Sequence, residues 1–366
     1  MSRFIILCGG TGGHLAPGIA VGQALIKAGH SASFVISNKQ VDSRLISKYS
    51  DLDVIRAPGT AFSTNPVKLV KFFVELCKSV MLGMRTFSKK KYDVLISFGG
   101  FNSLGFSIAA WLCKVPIVVH EANRKAGKAT RFLGSFAERI YVPYGVKIRN
   151  KDFSKIKYSG YPIRDEIRKY PSDICRQKFG FPKDCKLLLI LGGSQGAAAL
   201  NDWALSNFEE LAKRNIDVLC VCGQGKSPGA DVVLTGSDGR EHRLKCMEFC
   251  DDMGAAMSAA DLVVARAGAG SIAEFARCGL PSIIVPYPYA ADNHQLENAK
   301  CFEKQGACVM ILQKDMSTML GEVLDLIDNE KLKEVIRKNL NRVDDLNDMS
   351  KIVGDLSSIA AEHSGE

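Results

Sequence analysis

Three glycine-rich segments stand where the backbone can hold an anion: Gly9-Gly10-Thr11-Gly12-Gly13, Gly99-Gly100, and Gly192-Gly193-Ser194-Gln195-Gly196. Each follows an apolar run, Arg3 to Cys8, Val94 to Ser97 and Leu187 to Leu191 in turn. A glycine turn between strand and helix lets N–H groups approach an oxyanion, and the helix N-terminus adds about half a positive charge. Diphosphate is the natural guest. Such glycines also serve close strand–helix packing, so a single loop decides nothing, whereas three are harder to assign to packing. None has the Gly-x-Gly-x-x-Gly spacing of a dinucleotide site or the Gly-Lys-Ser/Thr of a P-loop, which counts against hydride transfer and ATP hydrolysis.

Titratable residues cluster around these turns. His14 directly follows the first loop, where a helix N-terminus disfavours the imidazolium and leaves a ring able to accept a proton. The same position suits a residue that merely orients a ligand, and spacing alone does not decide between the two. Ser271 and Glu274 have the spacing of a capping box, in which both side chains satisfy their own helix end, and equally of a ligand-binding helix start. Asp51-Leu52-Asp53 has the form of a metal-holding Asp-x-Asp but lies in a polar stretch far from the glycine loops. Cys220 and Cys222, and Cys246 with Cys250, lack the two-residue gap and paired histidines of a zinc knuckle, so they read as core packing. No bound metal and no cofactor is expected.

These residues need elements to hold them. The chain has 366 residues, more than one core comfortably supports, so two domains are expected. Its 46% apolar and 24% charged composition is that of a globular protein. Apolar strands alternate with helical patterns, which implies parallel sheets covered on both faces. The strands read as Arg3 to Cys8, Ser33 to Ser37, Val94 to Ser97 and Val115 to Val119 in a first doubly wound series ending near Val142. A second series follows at Leu187 to Leu191, Val218 to Cys222, Leu262 to Ala265 and Ser282 to Val285. The stretch Tyr144 to Tyr161 is polar and turn-rich. The expected domains are residues 1–160 and 161–340, with a C-terminal helix at about 341–366.

The uncharged stretch Val94 to Cys113 has the length of a membrane span but is broken by Ser97 to Ser103, so it reads as strand, loop and helix. Twelve cysteines, without regular spacing and without a preceding secretory signal, point to a reduced, cytoplasmic compartment. The formal charge of +9 fits nucleic acid, anionic lipid, a phosphorylated substrate or simple solubility. Its distribution favours lipid. Between Pro66 and Tyr92, Leu69, Phe72, Phe73 and Leu76 recur at helical spacing among Lys68, Lys71 and further cations. That is a basic amphipathic helix, able to rest on an anionic membrane or to pack against a core with a solvated basic side.

In combination, Gly9-Gly-Thr-Gly-Gly-His14, Ser97-Phe-Gly-Gly100, His120-Glu-Ala-Asn123, Gly192-Gly-Ser-Gln-Gly-Ala197, Arg266-Ala-Gly-Ala-Gly-Ser-Ile-Ala-Glu274 and the run from Pro286 to Gln295 resemble the MurG family. Members of that family add N-acetylglucosamine to the lipid-linked muramoyl-pentapeptide precursor of peptidoglycan. The resemblance implies the glycosyltransferase-B fold, two Rossmann-like doubly wound α/β domains facing a cleft. The acceptor would belong to the N-terminal half and UDP-N-acetylglucosamine to the C-terminal half, with the tail helix packed back on the first domain.

Carried onto this chain, the family's donor site falls on Thr11, Gly12, Gly13, Asn123, Arg164, Ser194, Cys250, Ala269, Gly270, Ser271, Ile272, Ala273, Glu274, His294 and Gln295. Glu274 would accept from ribose hydroxyls, and Gln295 with His294 would read the sugar. Gly10, Gly99 and Gly100 would face the acceptor diphosphate, and His14 or Glu121 would serve as general base. Lys68, Leu69, Lys71, Phe72, Phe73 and Leu76 would form the membrane patch. The implied partners are UDP-N-acetylglucosamine, the undecaprenyl-linked muramoyl-pentapeptide, an anionic membrane surface on its cytoplasmic face and proteins of cell-wall synthesis, with no nucleic acid. Ala122, Tyr161 and Ser271 depart from the residues common in the family. Other lipid glycosyltransferases, UDP-N-acetylglucosamine epimerases and a non-catalytic sugar-nucleotide recruiter remain rival readings of the same loops.

Overall fold

The computed structural model describes the chain apart from residues 11, 39–43, 50, 61, 147, 149–152, 194, 195, 228, 230, 365 and 366. Two compact units result, Met1–Asp165 with Leu346–Glu366, and Glu166–Asp345. In both, the sheet is the product of strands too apolar to leave either face in water.

The first unit is built on seven parallel strands: β1 (Arg3–Leu7), β2 (Ser31–Ile36), β3 (Asp53–Arg56), β4 (Val94–Ser97), β5 (Ile117–His120), β6 (Arg139–Val142) and β7 (Ile156–Tyr158). They stand in the order β3-β2-β1-β4-β5-β6-β7. Alternation along β1 divides the core. Phe4, Ile6 and Cys8 point into a cluster with Leu15, Ile19, Ile352, Leu356 and Ile359, while Ile5 and Leu7 join Leu95, Phe106, Ala110 and Leu133 on the opposite face. The first cluster is closed by α1 (Gly12–Lys27) and the C-terminal helix Met349–Ser364; α2 (Pro66–Lys89), α3 (Leu104–Leu112) and α4 (Lys128–Leu133) lie in the other half of the unit. The Tyr141 hydroxyl donates to Asp355 Oδ2 at 2.7 Å and adds a polar tie to the C-terminal helix.

The second unit carries β8 (Lys186–Leu191), β9 (Ile216–Val221), β10 (Val232–Thr235), β11 (Glu241–Met247), β12 (Leu262–Ala265), β13 (Ser282–Ile284) and β14 (Val309–Met310). The order is β10-β11-β9-β8-β12-β13-β14, and among the described strands only β10 runs antiparallel to its neighbour. Its helices include α5 (Ser172–Lys178), α6 (Ala198–Lys213), α7 (Met253–Ala259), α8 (Ala269–Cys278) and α9 (His294–Lys304).

In each sheet the strand order reverses once, between β1 and β4 and between β8 and β12. Open α/β sheets bind ligands at the carboxyl ends of the strands beside that reversal. All three glycine loops emerge there. Of the strands not anticipated, β3, β7, β10, β11 and β14 sit at or next to sheet edges; β3, β7 and β11 carry polar residues such as Glu241-His-Arg-Leu-Lys245, and β10 and β14 are only four and two residues long, so their apolar signal is weak. Thus the turn-rich stretch before Tyr161 contains the edge strand β7. The units divide at Asp165/Glu166 and Asp345/Leu346, because the chain at Gly160 runs against Leu346 and Asn347. A methyl on Gly160 would stand 2.3 Å from Asn347 Oδ1, and Tyr161 N donates to that same oxygen at 2.7 Å. No helix among the described residues is long and apolar enough to cross a membrane.

Candidate active site

The turn after β1 is shaped by steric necessity. A side chain on Gly9 would meet Ser37 N at 2.3 Å, and Gly10 has a φ of +118° that favours glycine. Gly12 opens α1, Gly13 is exposed and His14 is partly exposed; Thr11 lies outside the described residues. The turn after β4 meets the same place. Gly99 and Gly100 have φ of +86° and +81°, and a methyl on Gly100 would stand 3.3 Å from both Cε1 and Nδ1 of His14. The imidazole therefore lies over the Gly99–Gly100 backbone, which puts His14 and the acceptor-side glycines in one group. Asn102, which the sequence reading passed over, joins them. A methyl on Gly10 would stand 3.1 Å from its Nδ2, and one on Gly59 2.5 Å from its Oδ1. The signal available was an amide two residues after a Gly-Gly pair.

At the end of β5, Glu121 is 5% exposed, and its carboxylate is engaged by the chain around it. Oε1 accepts from Asn123 N at 3.0 Å and from Asn123 Nδ2 at 3.1 Å, and Oε2 accepts from Gly127 N at 2.9 Å. This geometry makes Glu121 a brace for the loop that carries Asn123. Arg164 is 8% exposed and belongs to the first unit. Tyr161, an apparent departure from the family pattern, donates its hydroxyl to Gly13 O at 3.4 Å and so touches the first glycine loop.

His120, next to the brace, is fully enclosed. Its ring lies 5.2 Å from Phe98, its Nε2 is 3.4 Å from Gly160 O, and its Nδ1 has no hydrogen-bond partner among the described residues. Burial holds its pKa down to about 4 from 6.5, against smaller opposing effects of the Gly160 carbonyl and Glu121. The unfolded chain therefore binds a proton here that the folded chain refuses. Stability from this group is whole above pH 6.5 and is lost as pH falls to about 4. The slope for one proton reaches about 1.4 kcal/mol per pH unit. His120→Gln is expected to flatten that part of the stability profile in urea unfolding; a variant profile parallel to the parent's would assign the loss to other groups.

In the second unit the loop between β8 and α6 is as tightly specified as the first. A side chain on Gly192 would meet Ala197 N at 2.2 Å; Gly193 and Gly196 have φ of +78° and +67°, and a methyl on Gly196 would stand 2.1 Å from Cys222 O. Ser194 and the neighbouring Gln195 lie outside the described residues. From α6, buried Asn201 donates Nδ2 to Cys222 O at 3.0 Å and to Lys226 O at 3.5 Å, tying this loop to the one after β9.

Across the strand reversal, Gly268 occupies the N-cap of α8 and, lacking a side chain, makes no side-chain cap hydrogen bond. Ser271 lies inside the first turn, so the capping-box reading of Ser271 and Glu274 fails, and the N–H groups of Ala269, Gly270 and Ser271 precede the first backbone bond, Ile272 N to Gly268 O. Ala269, Gly270, Ser271, Ile272 and Glu274 are all partly exposed. Ala273 and Cys250 are buried, at 5% and 4% exposure. These two donor-site expectations therefore extend to their backbone atoms only. Gln295 Oε1 accepts from Tyr287 N at 2.9 Å, and His294 Nδ1 lies 2.7 Å from Ala291 O, which folds the loop before α9 onto itself. Arg266 donates to Val285 O at 3.2 Å and to Gln313 Oε1 at 2.6 Å, linking the ends of β12 and β13.

Asp53, from the Asp-x-Asp run that stands apart from the glycine loops in sequence, begins β3, and its Oδ2 accepts from Ser33 Oγ at 2.7 Å and Lys90 Nζ at 3.4 Å. An expectation changes at the membrane patch. Phe72 of the expected membrane patch is 7% exposed and packs edge-on against Phe62 and Phe101. The face of α2 that meets α3 runs through Phe72, Ser79 and Gly83, where Gly83 admits Ala109. Leu69 and Leu76 are half-buried, whereas Lys68, Lys71 and Phe73 are exposed with Val67, Val70, Val74 and Met81. Trp111, Phe132 and Phe136 add a second exposed aromatic group, with ring centroids 5.6 Å and 5.3 Å apart along the chain of three.

Comparison with known proteins bears on the same loops. The glycosyltransferase family 28 N-terminal domain matches residues 4–142, and the glycosyltransferase family 28 C-terminal domain matches residues 187–351. A UDP-N-acetylglucosamine–N-acetylmuramyl-(pentapeptide) pyrophosphoryl-undecaprenol N-acetylglucosamine transferase of Opitutus terrae is 43% identical over 363 residues, 99% of this chain and 96% of the relative. Its namesake in Psychromonas ingrahamii is 31% identical over 331 residues, 90% of either chain. The crystal structure of Acinetobacter baumannii MurG matches with a TM-score of 0.70 over 98% of this chain and 100% of that one; at 23% identity it speaks for the fold, two Rossmann-like domains. With both domains matched in order and identity sustained over nearly its whole length, the chain belongs to the MurG family of UDP-N-acetylglucosamine-dependent glycosyltransferases.

Proposed function

We propose that the chain transfers N-acetylglucosamine from UDP-N-acetylglucosamine to the C4 hydroxyl of the muramoyl group in undecaprenyl-diphosphate-linked N-acetylmuramoyl-pentapeptide, with inversion, in peptidoglycan synthesis. The observation that carries this reading is the 43% identity to the Opitutus terrae enzyme across 99% of the chain. The first turn of α8, with its N–H groups at Ala269, Gly270 and Ser271, would supply donors and a helix dipole for the UDP diphosphate, and the glycine turn after β8 would close on the same group. In the reaction the acceptor oxygen attacks the anomeric carbon, its proton passes to His14, and the bond to UDP breaks with its electron pair on the departing diphosphate. Backbone donors fixed before the reaction stabilise that charge without reorganising. Glu121 holds the loop of Asn123, and Glu274 receives the ribose hydroxyls. Gly10, Gly99 and Gly100, with Asn102, receive the acceptor diphosphate.

The direct test offers UDP-N-acetylglucosamine with either the muramoyl-pentapeptide lipid or a diacylglycerol. Sugar on the first alone is the expected result; sugar on the diacylglycerol, or UDP release without any acceptor, would refute it.

The enzyme would work as a peripheral protein on the cytoplasmic face of the membrane, with Phe73, Val67, Val70 and Val74 of α2 entering the headgroup boundary beside Lys68 and Lys71. Each cation near an anionic surface adds about 1 kcal/mol. Phe73→Glu is expected to lower the fraction that sediments with anionic vesicles, and unchanged sedimentation would remove α2 from the contact.

A further inference from the structure

The second unit gathers three thiols that the proposed reaction leaves unused. Cys220 on β9, Cys222 just beyond it and Cys246 on β11 place their Sγ atoms within 4.8 Å of one another. The fold brings them together by register. Cys246 is paired with Cys220 across the parallel strands, and Cys222, two residues on, returns to the same face. The Sγ atoms of Cys220 and Cys222 are 3.5 Å apart. On the sequence alone the spacing Cys-Val-Cys, followed much later by Cys246, matches no zinc knuckle, and Cys250 is not part of the group. A fourth donor stands beside them. Asn201 Oδ1 is 3.7 Å from Cys220 Sγ, and its orientation is fixed because Nδ2 is spent on the carbonyls of Cys222 and Lys226.

We propose that Cys220, Cys222 and Cys246, with the amide oxygen of Asn201, form a binding site for a thiophilic d10 cation of the Zn(II) type. Tetrahedral coordination with bonds of about 2.3 Å to sulfur and about 2.1 Å to oxygen puts sulfurs about 3.8 Å apart and sulfur to oxygen about 3.6 Å. The observed 3.5 Å and 3.7 Å need only a small adjustment, and the Cys246 sulfur, within 4.8 Å of the other two, must close by up to about 1 Å. Soft thiolates select such ions over Mg(II) or Ca(II). Cys220 and Cys222 are 1% and 0% exposed, while Cys246 is partly exposed and gives the ion a way in. The site lies directly under the donor loop, since the Cys222 carbonyl is the atom against which Gly196 packs.

The reduced full-length chain, freed of chelator, is titrated with Zn(II) and then challenged with Cd(II). One equivalent of Zn(II) should bind and raise the thermal midpoint, and Cd(II), the softer ion, should displace it with thiolate-to-cadmium charge-transfer absorption. Cys222→Ser and Cys246→Ala should each weaken binding by more than the roughly 10–100-fold that loss of an outer-shell partner costs. Cys77→Ser, an exposed thiol on α2, should not. Cys246→Ala removes a partly exposed side chain, and an unchanged circular dichroism spectrum checks its fold. Absence of a stoichiometric phase in the parent, or parental affinity in folded Cys246→Ala, overturns the proposal.

Discussion

His14→Ala is expected to lower kcat by roughly 10²- to 10⁴-fold, the usual contribution of a positioned general base, while direct binding of UDP-N-acetylglucosamine changes little. The ring is held by its place in the first turn of α1 and by the Gly99–Gly100 backbone beneath it. Two further measurements separate a proton acceptor from an orienting residue. His14→Asn keeps a hydrogen-bonding side chain but offers no base near neutrality, so it should be nearly as slow and should lose the acidic limb of the kcat profile. Gly100→Ala keeps the imidazole and displaces it, because its methyl would stand 3.3 Å from the ring on a backbone at φ +81°. That variant should retain the acidic limb at a lower plateau. If His14→Asn transfers sugar at a near-parental rate with its pH profile intact, His14 is not the base.

The contrast between Glu121 and His14 also shows where the sequence stops being informative. Both follow a buried strand, His14 after a glycine loop and Glu121 directly, and the family pattern marks both as candidates for proton transfer. Only folding reveals that Glu121 is encircled by N–H groups from residues 123 and 127, since a loop's hydrogen bonds depend on its path, which spacing does not encode. The sheets were legible for the opposite reason. Phe4-Ile-Ile-Leu7 and Leu187-Leu-Leu-Ile-Leu191 are apolar on both faces and have few places to go except the middle of a covered parallel sheet. Strands at or next to an edge, such as β3 and β11, need no such composition, and so passed unread. Phe72 follows the same rule on a helix. Its position within the apolar stripe of α2 was clear, but whether it faces lipid or Phe62 and Phe101 depends on the crossing with α3. The convergence of Cys246 on Cys220 is set by strand register, a nonlocal quantity that residue spacing does not contain.

The donor loop supplies the second large effect, and two of its glycines make the cause separable. Gly193 and Gly196 both hold positive φ, at +78° and +67°, so alanine at either carries a backbone penalty of about 1–2 kcal/mol. They differ in what surrounds them. A methyl on Gly193 meets nothing within 4 Å among the described residues, whereas one on Gly196 would stand 2.1 Å from Cys222 O, a carbonyl that Asn201 holds in place. Gly196→Ala must therefore move the loop away from the end of β9, and with it the N–H groups that the proposed function assigns to the diphosphate. A charge-assisted hydrogen bond contributes about 1.5–3 kcal/mol, so displacing even one should raise the KM for UDP-N-acetylglucosamine roughly 10- to 100-fold. Gly193→Ala should raise it several-fold at most. Equal effects at the two positions would mean that backbone conformation alone governs the loop. Parental KM in folded Gly196→Ala would mean that the diphosphate does not depend on this turn, leaving the first turn of α8 to hold it.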